Sequence, residues 1–349
     1  MASIISPVLK TSITKSDVST SSKLRFYVKR ELNVKKNSDL ARTCLHHKFQ
    51  SLCDRELEYQ ELTSDISISC FCRTGVIGTS VILETDSDAD TARVHLQRLT
   101  FTPMAAKSAA KYIITLHRKA CVCRPANAKI CEKFSNTRNK ETIVKWVFDE
   151  SLRRVQSFIS PATKRFSDED IIQKIGYLRQ RFLSLEACVV HSNYNADNIV
   201  VKPRTGNFCK VVSFGGELSH TGHPAYDVAT FLADLYVWYH IHDSSCEMAA
   251  QDFCITLKAC IGEYLNTYFD EFDLSVRDDK VVGDMMFLVA GYAGICMIFR
   301  LMGNDWNERI AIESCVVKTN ILECAYELIK GYGIINSVDD LLSVGLGIK

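Results

Sequence analysis

Apolar residues change their spacing along this chain, and the change divides it in two. From Lys23 to about Glu84 they come in short alternating or continuous runs, "LRFYVKREL" and "VIGTSVILET". Between these lies one charged stretch at helical spacing, "HHKFQSLCDRELEYQEL". The pattern predicts a small sheet carrying one helix. Beyond the acidic, polar run "TDSDADTA" the apolar period lengthens to that of a helix. Helices are expected over roughly 105–120, 168–185, 225–240, 246–269, 282–301 and 305–330. One β interruption breaks this helical part: in "NIVVKPRTGNFCKVVSF" two apolar strands flank a Pro and Gly turn, which brings both strand ends to one edge. The expected fold class is α+β in two lobes. A small β-rich lobe would occupy 23–92 and a larger helical lobe 93–349, behind a Ser/Thr-rich segment, 1–22, with little to fold.

Composition narrows the function classes. A chain of 349 residues with 47% hydrophobic content can bury a sizeable core. Its formal charge of +1, with Lys and Arg spread along the whole length, argues against a nucleic-acid partner or a membrane surface. The longest apolar run, "MMFLVAGYAGICMIF", is shorter than the roughly 20 residues of a membrane span and reads as a buried helix between Asp284 and Arg300. Fifteen cysteines lie scattered. Only Cys70/Cys72 and Cys121/Cys123 sit close together, and none has the C-x-x-C spacing of a zinc site. Reduced, packed thiols in a cytoplasmic protein are expected. The first residues, "MASIISPVLKTSITKSDVSTSSKLRF", read either as a frayed terminus or as a transit peptide, although no arginine precedes Arg25.

The chemistry concentrates in "CVVHSNYNADNIVV", Cys188 to Val201, together with the hairpin after it and "GHPAYDVATFLADLY". This layout resembles the aminoglycoside phosphotransferase and choline-kinase-like family. In that family a loop H-G-D-x-x-x-x-N is followed, after a hairpin, by I-D-W-E and then by G-x-P-x-x-D-L. His191 matches the histidine and Asn198 the asparagine. "GHPAYDVATFLADLY" is similar to the helix entry of the family's mostly fungal branch. The resemblance covers 93–330 in outline and the first lobe faintly. It implies a protein-kinase-like fold, a cleft for a small molecule, and ATP with Mg²⁺ wherever the site is intact.

Three departures fall at one edge. Asn193 stands at the place of the catalytic aspartate, Ser213 at the place of the metal-binding aspartate with Phe214 for the tryptophan, and the interval from Ser213 to Gly222 is longer than in the family. In phosphoryl transfer the first acid positions the attacking hydroxyl and accepts its proton, while the second holds Mg²⁺ against the phosphates. An amide cannot take that proton. Losing a general base forfeits on the order of 10²–10⁴ in rate, and neutral oxygens such as those of Asn198 and Ser213 hold a hard cation poorly. No glycine precedes Gly75, so no phosphate-cradling turn is evident in the first lobe. Lys29 in the first strand and Glu56, or Glu58, in the following helix come in the order of the family's strand lysine and its helix partner.

Other residues have plainer readings beside the functional ones. His191 is either a catalytic-loop residue or a structural histidine bonded to its own loop backbone. Asp227 at a helix start would satisfy free amides. His220, His223, His240 and His242 have no acid or cysteine to complete a metal site. Asp197 should point away from the cleft as its loop enters a strand, which leaves Glu217 as the acid best placed to replace a lost base. The sequence therefore leads to a pseudokinase-type small-molecule binder or a repurposed catalyst, in specialised metabolism by analogy. An active ATP-dependent phosphotransferase acting on a hydroxyl is the alternative. Oligomeric state is not legible.

Overall fold

A computed structural model describes residues 12–13, 26–30, 79–83, 90–157, 161–203, 209–213, 216–272, 279–302 and 312–348. Three strands, β1 (Ser12–Ile13), β2 (Phe26–Arg30) and β3 (Thr79–Leu83), form an antiparallel sheet in that order, with Tyr27 opposite Ile82 and Lys29 opposite Ser80. The helix expected over "HHKFQSLCDRELEYQEL" lies outside the described residues.

From Asp90 onward the chain is mostly helical. Strand β4 (Asp90–Thr91) leads into α1 (Ala92–Gln97), whose first turn is capped by the Thr91 hydroxyl accepting from Val94 N. Thr102 does the same for α2 (Pro103–Lys119) by accepting from Ala105 N, with Pro103 in the first turn where its missing N–H costs nothing. Short helices α3 (Ala128–Lys133), α4 (Thr137–Ile143), α5 (Ser151–Ser157) and α6 (Pro161–Lys164) follow, with a π-helical stretch, Val144–Glu150, joining α4 to α5. Helix α7 (Glu169–Ser184) then runs into β5 (Cys188–Val190).

The hairpin forms as expected. β6 (Ile199–Pro203) and β7 (Cys209–Ser213) pair antiparallel from Ile199↔Ser213 to Pro203↔Cys209, and β4 adds to the outer edge of β6. A second ribbon pairs β5 with β8 (His220–Gly222), so both ends of the intervening loop are fixed to strands.

Four long helices close the core: α8 (Ala225–Asp243), α9 (Met248–Glu271), α10 (Asp279–Met302) and α11 (Cys315–Lys330), followed by α12 (Val338–Gly345). Helix α8 is buried on nearly every face and packs against α9, α10 and α11, as expected for a helix apolar all round. Its Phe231, Leu232 and Leu235 are fully buried, each contributing roughly 1.5–3 kcal/mol relative to exposure. Helix α10 approaches α11 so closely that a Cβ on Gly294 would lie 2.6 Å from the Ala325 carbonyl oxygen. By length and composition, Asp284–Met302 could cross a membrane, a longer stretch than the apolar run alone suggests. In this fold 83% of its apolar window is buried inside the protein. Helix α11 starts later than expected, at Cys315, because the Ser314 hydroxyl caps it by accepting from Val317 N.

Candidate functional site

The loop 191–198 carries most of the sequence-derived candidates, and it is held from both ends by one helix. At its start, the buried Asp227 in the first turn of α8 accepts from His191 N and Ser192 N, each at 2.7 Å, and from His117 Nε2 at 3.0 Å. His117 in turn reaches the Tyr268 hydroxyl through Nδ1 at 2.9 Å. Burial alone would raise the Asp227 pKa. The His117 hydrogen bond and charge, together with His191, outweigh it and hold the carboxyl below its ordinary value.

At the loop's end Asp234, seven residues further on the same face of α8, accepts from Ala196 N at 2.7 Å. It is joined to Arg300, which is 2% exposed, through Nε at 2.5 Å and Nη2 at 3.2 Å. Arg300 also donates to Asp197 at 2.9 Å, and Arg93 donates to the other Asp197 oxygen at 3.0 Å. Burial opposes the Asp197 charge, yet the two guanidinium groups hold its pKa down. Asp234 is pushed up, burial being the larger influence on it.

Between the two clamps the loop satisfies itself with amides. Asn195 Nδ2 donates to Asn193 Oδ1 at 2.6 Å, and Asn198 Nδ2 donates to the Asn193 carbonyl at 2.9 Å. Asn195 Oδ1 accepts from Asp197 N and Asn198 N at 3.0 and 3.2 Å. Asn193 N donates to His191 Nδ1 at 3.2 Å, and the His191 ring stands edge-on to Tyr194. Ser192 adopts φ +70°, a left-handed conformation that favours glycine, and its hydroxyl lies 2.9 Å from His220 Nδ1. Burial pushes His220 down to about 4, so this ring is neutral at pH 7.

The remaining candidates divide by position. The Ile199↔Ser213 pairing sets Asn198 and Ser213 at the same end of the hairpin. Glu217 belongs to a 3-10 turn, Gly216–Leu218, beside the loop: Ser219 Oγ donates to the His191 carbonyl at 3.4 Å. The side chains of Ser213 and Glu217 lie outside the described residues, as does that of Lys29, whose backbone is in β2. Glu56 and Glu58 lie outside them entirely. His240 and His242 engage the Gly345 and Leu96 carbonyls, each at 3.0 Å. No group of three His, Cys, Asp or Glu side chains is arranged for a metal ion among the described residues.

Sequence reasoning missed Asp234, Arg300, Arg93 and His117. Only the first left a signal, as a second acid two helical turns after Asp227 in an otherwise apolar helix.

No family model matches the chain, and no curated protein does. Among solved structures it is similar to a choline kinase from Cryptosporidium parvum Iowa II, at 15% identity and a TM-score of 0.42, covering 94% of this chain and 92% of that one. It is also similar to a Plasmodium vivax ethanolamine kinase, at 12% identity and a TM-score of 0.40, covering 97% and 80%. A glucosamine kinase in complex with glucosamine, ADP and inorganic phosphate follows at 16% identity and a TM-score of 0.36, covering 63% of this chain and 59% of that one.

Proposed function

We propose that this chain is a two-lobed, protein-kinase-like protein, with a small lobe over 23–92 and a helical lobe over 93–349, that binds a small molecule and does not transfer phosphate efficiently. One observation carries this reading. The only carboxylate in the loop 191–198, that of Asp197, is bound by Arg93 and Arg300, and Asn193 offers an amide already engaged by Asn195. No free carboxylate base remains in the loop, and an amide cannot become one.

The residues also fit a nucleotide-bound Mg²⁺ poorly. Mg²⁺ in such sites is held by a carboxylate, the loop asparagine and phosphate oxygens; Asn198 keeps the asparagine, but Ser213 brings a neutral hydroxyl where the carboxylate would stand. What persists is the loop's shape, fixed by Asp227 and Asp234. That shape suits a preformed pocket used for binding, or for a reaction without phosphate transfer, with specialised metabolism as its setting by analogy.

The second reading, an ATP-dependent phosphotransferase acting on a small-molecule hydroxyl, draws its support from the turn that carries Glu217, tied to the loop through Ser219 Oγ and the His191 carbonyl. An ADP-release assay with Mg²⁺-ATP across hydroxyl- and amine-bearing metabolites separates the two. The binding reading expects metabolites that raise the unfolding midpoint without acceptor-dependent ADP release. Turnover in the range of about 1–100 s⁻¹ typical of kinases, lost in Glu217→Gln, would establish the phosphotransferase instead.

A further inference from the structure

The turn after α2 gathers thiols that the proposed function does not use. Cys121 and Cys123 sit two residues apart in one turn, closed by Arg124 N donating to the Cys121 carbonyl at 3.3 Å, and Cys123 is exposed while Cys121 is half-buried. The backbone of Cys121 is fixed on both sides. It forms an antiparallel bridge to Cys188, Val122 N donates to the Ala187 carbonyl at 2.8 Å, and the Cys121 carbonyl accepts from Asn127 Nδ2 at 2.9 Å. The half-buried Cys131 lies beside the same turn, its Sγ 3.9 Å from the Ala120 carbonyl. With no set of three metal-ligating side chains among the described residues, the pair is not part of a described metal site.

We propose that Cys121 and Cys123 are an oxidisable dithiol, closed to a disulfide by hydroperoxides at the strand that leads into the loop 191–198. The Cys121 sulfur attacks the peroxide, the O–O bond breaks, an alcohol or water leaves, and a sulfenic acid forms. The Cys123 sulfur then attacks that sulfur, the S–O bond breaks, and the Cys123 proton departs with the hydroxyl as water. The two thiols lose two electrons and the peroxide gains them. Cys123 is pushed above the ordinary thiol range, first by its hydrogen bond with Cys121 and then by burial, so it retains its proton until the second step. Because Cys121 is bridged to Cys188, three residues before His191, closure acts on the edge of β5.

Trypsin gives a direct test, since Ala120–Lys129 carries both cysteines and Ile130–Lys133 carries Cys131. Reduced full-length protein is treated with stoichiometric hydrogen peroxide, alkylated and digested. The expected result is an Ala120–Lys129 peptide lighter by two hydrogens with neither cysteine alkylated, reversed by dithiothreitol. In Cys123→Ser, Cys121 should instead be trapped by a sulfenic-acid reagent. A full complement of alkyl groups on Ala120–Lys129, while exposed Cys246 or Cys315 is oxidised, would overturn the proposal. So would a disulfide linking this peptide to Ile130–Lys133.

Discussion

Replacing Asp227 with asparagine tests the clamp that shapes the site. The substitution preserves volume but removes a charge that accepts three hydrogen bonds inside the protein, and it turns an NH₂ group toward a donor. Hydrogen bonds to charged groups contribute about 1.5–3 kcal/mol each, though they do not add fully in a shared network. Breaking a buried charged set on one side costs about 3–5 kcal/mol. At about 1.4 °C per kcal/mol for a chain of 349 residues, the midpoint should fall by about 4–7 °C. Circular dichroism melts at pH 7 measure it. The sign with pH is fixed, because the folded pKa of Asp227 lies below its unfolded value near 3.8. The carboxylate's contribution is fully present above that value and is lost as pH falls through the lower folded value. The gap between the natural protein and Asp227→Asn should therefore narrow only below about pH 4. A variant melting within about 2 °C of the natural protein at pH 7 would refute the clamp.

Other expectations follow from single positions. Ser192→Gly should be more stable than Ser192→Ala by about 1 kcal/mol in urea unfolding, since both lose the hydroxyl contact with His220 and only alanine keeps the cost of φ +70°. Gly294→Ala, which in an open helix would stabilise, should cost about 1–3 kcal/mol in the same assay, its Cβ meeting the Ala325 carbonyl at 2.6 Å. His220, pushed down to about 4 from an ordinary 6.5, takes up protons more readily in the unfolded chain, so its contribution is lost as pH falls between those values, by about 1.4 kcal/mol per unit. In His220→Gln the stability profile from pH 6.5 to 4 should be flatter by that amount, and an unchanged slope would contradict the burial argument.

Much of the helical part was legible because burial imposes a period: α2, α7, α8 and α9 fall within a few residues of their expected limits. The β6–β7 hairpin was legible through its Pro and Gly turn. The stretch from Ala128 to Ser157 was not, since it is built of short, mixed-polarity helices joined through a π-helical segment, and none is long enough to show a period. Within the site, the left-handed turn at Ser192 left no mark because serine does not announce φ. Arg300 read as the polar flank of an apolar run. It is instead the buried cation shared by Asp197 and Asp234, joined across 103 and 66 residues of sequence, a separation that no local pattern encodes.

On the proposed reading, Asn193 and Ser213 stand where phosphate chemistry would need carboxylates. The most direct measurement is the unfolding midpoint in millimolar ATP, with and without Mg²⁺, for the natural protein and for an Asn193→Asp, Ser213→Asp double variant. A ligand at 100 times its dissociation constant adds about 2.7 kcal/mol, a shift of several degrees. No Mg²⁺-dependent shift is expected in the natural protein and a clear one in the double variant. A Mg²⁺-dependent rise in the natural protein would contradict that reading.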